Sequence, residues 1–318
     1  MGHAIACRSC STARNSVPYG ILVALLLSGC GKAQQPEAIW CSTGQGPGQV
    51  VYPRGIAYSS KDDTYYLIDR AARIQHITGT GGPIGGWQMP EYAQGKPVGL
   101  TVGPDGNLWV PDTHYHRVLI FSPDGRELFR FGTKGHGHGE FDLPTAIAFD
   151  SAGNIYVAEY GENNRIQVFD KDWKFLRQIG DFGNGPGQVS RPQSMVIVGD
   201  TIYTTDSCNH RLAVFTTDGT FVRTMGHSGD APGEYRFPYG LVMDHDGNLI
   251  VTEFGNNRIQ KIDPATGKSL GIWGRTGRLP GELAYPWAAV VNNRDQVVIV
   301  DSGNNRLQII ADKQLAMR

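Results

Sequence analysis

A proline returns six times beyond residue 38, at Pro53, Pro97, Pro144, Pro192, Pro238 and Pro286, with spacings of 44, 47, 48, 46 and 48 residues. An arginine keeps step with it at Arg73, Arg117, Arg165, Arg211, Arg258 and Arg306, spaced by 44, 48, 46, 47 and 48. Self-similarity of this length belongs to architectures in which each unit buries its apolar faces against its neighbours, and the period lies in the range of propeller blades. The copy at Leu143–Gly180 shows what the unit is: four short β-prone runs, "TAIAF", "NIYVAE", "RIQVF" and "FLRQIG", separated by the turn signals "DSAGN", "YGENN" and "DKDW". The second and third runs are apolar on both faces, as expected of strands sandwiched between neighbouring sheets. The 42 glycines and 18 prolines are scattered at intervals, which suits many turns, and no long helical period interrupts the series. The expected fold is therefore all-β, a six-bladed β-propeller of four-stranded antiparallel blades.

The ends of the chain predict how the ring closes. The sixth copy stops after "NRLQII" with "ADKQLAMR" and no fourth strand, while "AIWCSTGQGPGQVVYPRG" (residues 38–55) matches "FLRQIGDFGNGPGQVSRPQS" (residues 175–194). Residues near Ile39 to Cys41 are thus expected to pair as the outer strand of the last blade and to cover its open edge.

The recurring "P-x-G-[IL]" opening, the "G-N-[IL]-x-V-x-[DE]" strand and the "N-N-R-[IL]-Q" strand, intact at Asn163–Gln167, Asn256–Gln260 and Asn304–Gln308, resemble NHL repeats. The resemblance spans all six copies. It implies the propeller fold but leaves function open, because the family includes protein-binding and RNA-binding modules, extracellular sensor domains and amidating lyases.

Each second strand ends in a carboxylate, at Asp69, Asp112, Glu159, Asp206, Glu253 and Asp301, with the repeat arginine four to six residues later. Across a hairpin that spacing brings the two together in a charge-assisted pair. A catalytic acid occurs once or twice, whereas these occur in every copy beside a fixed partner, so they are read as structural. The asparagines beside them, such as Asn164 and Asn257, suit a turn with left-handed backbone.

The loop "GHGHGE" aligns with "GQGPGQ", "GNGPGQ", "GDAPGE" and "GRLPGE" elsewhere in the series. Its glycines and its acid belong to the loop, and only His136 and His138 are unusual. Two imidazoles leave a zinc site short of ligands, although His114 and His116 on an adjacent turn stand as further candidates.

Before the repeats, Arg8 and Arg14 precede the apolar run "GILVALLL", too short to span a bilayer, followed by "LSGC". This resembles the lipobox of bacterial lipoproteins, which implies that residues 1–29 are a signal peptide, that Cys30 is lipidated, and that residues 30–37 tether the propeller of residues 38–318. An ordinary cleaved signal or a misassigned start are the alternatives. The expected location is extracytoplasmic, on a membrane. Loss of the two arginines takes the formal charge from −1 to −3, which with export argues against nucleic-acid partners. Cys7 and Cys10 would leave with the signal, and Cys41 and Cys208 fall in different blades and are expected to stay unpaired.

Function is expected on the face where the first strands begin and the second-to-third-strand turns lie. The residues after the marker prolines, Arg54, Val98, Thr145, Gln193, Tyr239 and Trp287, should ring the channel mouth. Blades five, six and one are neighbours, so Tyr239, Trp287 and Arg54 should form one arc with Phe254 and Arg70 nearby, suited to a protein, peptide or glycan. The same aromatics suit a simple plug of the channel. The resemblance to amidating lyases implies a zinc held by histidines, several of them next to the repeat prolines, yet none of those six positions is histidine. Nor do they offer the carboxylates of a calcium site. The expectation is a non-catalytic binding module without cofactor; the alternative is a metal-dependent lyase or hydrolase using His114, His116, His136 and His138.

Overall fold

The computed structural model describes residues 34–316. The expected signal peptide and Cys30 lie outside the described residues. Blade three forms from the runs anticipated, Leu143–Phe149, Ile155–Tyr160, Arg165–Phe169 and Phe175–Ile179, each antiparallel to the next. Its first turn is tied by Asp150, whose carboxylate accepts the backbone N–H of Ala152 and of Asn154, each at 2.9 Å. The two middle strands are buried on both faces, while the fourth alternates at the rim.

The described residues form six such four-stranded sheets, and six apolar clusters weld them, one for each neighbouring pair. The pair that joins blade six to blade one is built like the others. Ile56, Tyr65, Leu67 and Ile77 of blade one pack against Val298, Val300, Leu307 and Ile309 of blade six. Where first strands approach one another, side chains give way: a Cβ on Gly240 would stand 2.8 Å from the Cα of Ala288 in the next blade.

Closure occurs as the sequence implied. Ala38–Trp40 pairs antiparallel with Arg306–Ala311, in the register Ala38 to Ile309 and Trp40 to Leu307. Cys41 falls one residue past the strand, with φ of 67°. The Trp40 ring meets Tyr65 of blade one edge-on at 5.6 Å, so this strand contacts both sides of the seam. Asn305 accepts from the Tyr52 N–H at 2.6 Å, and the Ser302 hydroxyl donates to the Pro53 carbonyl at 2.6 Å.

The repeat carboxylates are consumed by this architecture. Their ion pairs with the repeat arginines run from 2.6 to 3.0 Å, and all six carboxylates are buried. Glu159 also accepts from the Asp142 N–H at 2.6 Å, from Gln167 at 3.0 Å and from Asn163 at 3.3 Å. Arg165 in turn donates to the carbonyls of Gly137 and Glu140 in the loop from blade two, and Gln167 Nε2 to that of Glu140. The same exchange recurs around Asp206, Glu253 and Asp301. Backbone groups that a loop would otherwise strand are thereby satisfied.

Blade two departs from the pattern. Its entering loop lacks the G-x-x-P-G sequence, and Asp112 has one oxygen without a partner while Arg117 also reaches Glu91 at 2.5 Å. Burial pushes the Asp112 carboxyl up to about 6 against the pull of Arg117. A raised carboxyl binds its proton more tightly in the fold than in the unfolded chain. Its contribution is therefore present below the ordinary value of 3.8 and lost as pH rises through about 6. Asp112→Asn removes that titration. Denaturant unfolding should show the variant gaining roughly 2–3 kcal/mol relative to wild type between pH 4 and pH 7. A difference that does not change with pH would contradict this.

Candidate functional site

Three backbone ladders aim side chains at the channel mouth. Arg54 N–H donates to the Ile68 carbonyl at 2.8 Å, Trp287 to Val300 at 3.1 Å, and Phe254 to Phe237 at 3.0 Å. The residues after the marker prolines do converge, because Val98, Thr145, Gln193, Tyr239 and Trp287 all line a central cavity of about 320 Å³. Tyr239 and Trp287 are nearly covered, at 6% and 8% exposure, and form its wall.

The expected arc is present in the geometry. The Arg54 guanidinium lies over Trp287 at 5.2 Å, Tyr239 meets Trp287 at 4.9 Å, and Phe254 stacks on Tyr239 at 4.7 Å. Arg70 lies over Tyr52 at 5.5 Å. The aromatic surface that solvent reaches is carried instead by Tyr285 and Phe237, at 50% and 40% exposure, with Tyr285 5.1 Å from Phe254.

These two residues, with Tyr52 and Arg191, precede marker prolines and were not singled out from the sequence. All four hold left-handed backbone, with φ between 48° and 59°. A bulky residue before proline disfavours that conformation. It is held by the preceding blade, where Asn305, Asn164, His210 and Asn257 accept the N–H of Tyr52, Arg191, Phe237 and Tyr285 at 2.6 to 3.0 Å. The turn asparagines therefore clasp neighbouring blades, a role beyond the turn itself. Asn257 and Asn305 are left-handed as expected, whereas in the longer turn before Asn164 it is Gly161 that takes positive φ. A comparison of pre-proline positions alone would have exposed the signal, since Tyr52, Arg191, Phe237 and Tyr285 are all large.

Arg191 brings a third guanidinium to the mouth, 5.2 Å over Tyr239 and 4.8 Å over Tyr160. Burial lowers the Arg54 pKa, and Arg70 and Arg191 add to the effect by repulsion. Burial lowers the His114 pKa from its ordinary value, and the positive charge of Arg54 adds to the effect.

The four histidines proposed as metal ligands do not converge. His116 aligns with the turn asparagines, and its Nδ1–H donates to the Asp142 carbonyl. His136 bonds Asn163 at 2.6 Å and lies 3.3 Å from Glu162, while His138 stacks on Phe175 at 3.7 Å. The loop around them keeps the shared form: Gly137 N–H donates to Glu140 at 2.9 Å as Gly185 does to Gln188. Among the described residues, Asp244, Asp246 and Asp312 group closely enough to share a cation, and the Lys261 ammonium already sits 2.7 Å from Asp244 and 2.5 Å from Asp312. The donor set at the mouth, three guanidiniums and aromatic rings, does not fit a bound zinc. Cys41 and Cys208 are both free, and burial pushes the Cys41 thiol up to about 11.

Comparison with known proteins agrees with this architecture. A family model described as a 6-bladed beta-propeller matches residues 188–271, and the NHL repeat model matches residues 141–169 and 283–310. Peptidylglycine alpha-amidating monooxygenase of Rattus norvegicus is 35% identical over 112 residues, covering 32% of this chain and 12% of that protein. NHL repeat-containing protein 3 of Homo sapiens is 38% identical over 80 residues, covering 24% and 23%. The matched segments thus span well under two thirds of these relatives. Among solved structures, a streptogramin B lyase superposes with a TM-score of 0.58 at 18% identity, covering 88% of this chain and 87% of that one. A structural genomics protein of Bacteroides thetaiotaomicron gives 0.66 at 17% identity, covering 86% and 73%. At such identities the likeness concerns the fold alone.

Proposed function

Because the chain is an NHL-repeat six-bladed β-propeller, we propose that it is a non-catalytic binding module that recognises a protein, peptide or glycan at its channel mouth, exported and held to a membrane by lipid on Cys30. One observation carries the binding reading. The repeat carboxylates are buried in ion pairs, while at the mouth Arg54 and Arg70 lie over Trp287 and Tyr52 with no ion-pair partner among the described residues, and Tyr285 and Phe237 are exposed in the same cluster of loops. Rigid aromatic anchors next to arginine are the residues that dominate recognition surfaces. The amidating relatives motivate the enzymatic alternative, but the chemistry named for it needs converging histidines, and these lie as two pairs on two loops, with His116, His136 and His138 each engaged by a different partner.

The Arg70 and Tyr285 side chains are exposed, and the clasp of Tyr285 to Asn257 is made by its backbone N–H, so the double variant Arg70→Ala/Tyr285→Ala should melt as wild type does. Crosslinking in cells that express the full chain should then recover at least about tenfold less of the captured partner. Undiminished capture would rule out the mouth. For the anchor, Cys30→Ser should move the protein from the membrane fraction to the soluble one, and retention on membranes would contradict lipidation.

A further inference from the structure

We infer that the ligand of this mouth carries a carboxylate attached to an aromatic or apolar body. The inference rests on the binding reading above and deepens it. Arg54, Arg70 and Arg191 each lie over a ring of one connected cluster: Tyr239 meets Trp287 at 4.9 Å, and Tyr52 meets Trp287 at 6.3 Å. Elsewhere in the ring each repeat arginine has its acid. Among the described residues, no carboxylate comes within 4.0 Å of any of these three guanidiniums. The formal charge of the whole chain is −1, so this cluster is not a sample of a basic surface.

Grouping like charges in a half-buried site costs stability unless something offsets it. Two donors there also lack an acceptor, since Arg54 Nε and Trp287 Nε1 are buried with no hydrogen-bond partner. A guanidinium lying over a ring can still turn N–H groups toward a carboxylate; of the three, the Arg191 Nε–H already donates to Gln193 Oε1 at 3.3 Å, which leaves its terminal N–H groups for the ligand. Beside it, Phe254, Tyr285 and Phe237 offer surface for an apolar or planar body. One oxyanion would supply acceptors to the stranded donors and relieve the repulsion that lowers the Arg54 pKa.

Calorimetric titration of the full chain at fixed ionic strength tests this with three probes: 3-phenylpropanoate, its uncharged amide, and inorganic phosphate. The carboxylate should bind at least about tenfold more tightly than the amide, and its affinity should fall as salt is raised. Arg191→Gln and Arg54→Gln should each weaken it by about tenfold or more, while Arg191→Lys retains the preference for carboxylate over amide. The ligand-free Arg191→Gln protein should melt at or above the wild-type temperature, because a repelling charge has gone. Tighter binding of phosphate than of the carboxylate overturns the assignment in favour of a phosphoryl ligand. Equal binding of acid and amide, no effect of the arginine substitutions, or no binding of any probe overturns it altogether. If partner capture falls in the Arg70→Ala/Tyr285→Ala variant while the probes fail, the binding reading stands and this inference does not.

Discussion

Removal of the N-terminal strand, leaving residues 42–318, is expected to lower the melting temperature by about 10 °C or more and to broaden or abolish the cooperative transition. The strand is only three residues long, Ala38–Trp40, yet it supplies the outer edge of blade six and lays Trp40 against Tyr65 of blade one. Truncating a tryptophan in such a position costs about 3 kcal/mol on its own. Loss of the ladder to Arg306–Ala311 adds to it and exposes a strand edge. Together these approach the whole margin by which a domain is stable. Glu37→Pro should act in the same direction, since proline removes the Glu37 N–H that donates to the Ile309 carbonyl at 2.7 Å without removing Trp40. Calorimetry on both variants checks this; a melting curve superimposable on wild type would show that the seam holds without the strand.

Glu159→Ala should cost roughly 3–5 kcal/mol, the scale expected when one partner of a buried charge pair is deleted. Its carboxylate receives Arg165 at 2.6 Å, the Asp142 N–H at 2.6 Å, and the amides of Gln167 and Asn163. The substitution leaves four donors, the buried Arg165 guanidinium among them, without their acceptor. Glu159→Gln, which keeps an acceptor oxygen, should lose less, and Glu127→Ala, whose pair with Arg130 is at the surface, should lose under about 1 kcal/mol. If Glu159→Ala unfolded at the wild-type denaturant concentration but abolished a function, the repeat carboxylates would be functional groups rather than architecture.

Much of the fold was legible because it is written several times. Two periodic markers fixed the number of blades, and the match of residues 38–55 to residues 175–194 revealed which end closes the ring. Repetition also exposed what is shared in "GHGHGE", and the structure agrees that Glu140 ties its own loop as Gln188 ties another. The functional face was less legible for the same reason. A binding site is what differs between copies, and side-chain direction there depends on backbone that the pattern does not disclose. Arg54, Tyr239 and Trp287 followed from their place after the prolines. Arg191, Tyr52 and Tyr285 did not, because they sit before proline in a left-handed conformation imposed by the neighbouring blade. His116 looked like a ligand only while its equivalence to Asn257 and Asn305 was unremarked.

The placement of Arg54 over Trp287 joins the first blade to the last, so it depends on the ring being closed by the chain's own beginning. Hydrogen–deuterium exchange of the Ala38–Trp40 amides measures that closure. Their protection should rise and fall with that of Arg306–Ala311 through denaturant, as one cooperative unit. Exchange at the rate of a free chain, while Arg306–Ala311 stays protected, would mean that the strand is undocked and that the seam at the channel mouth is made some other way.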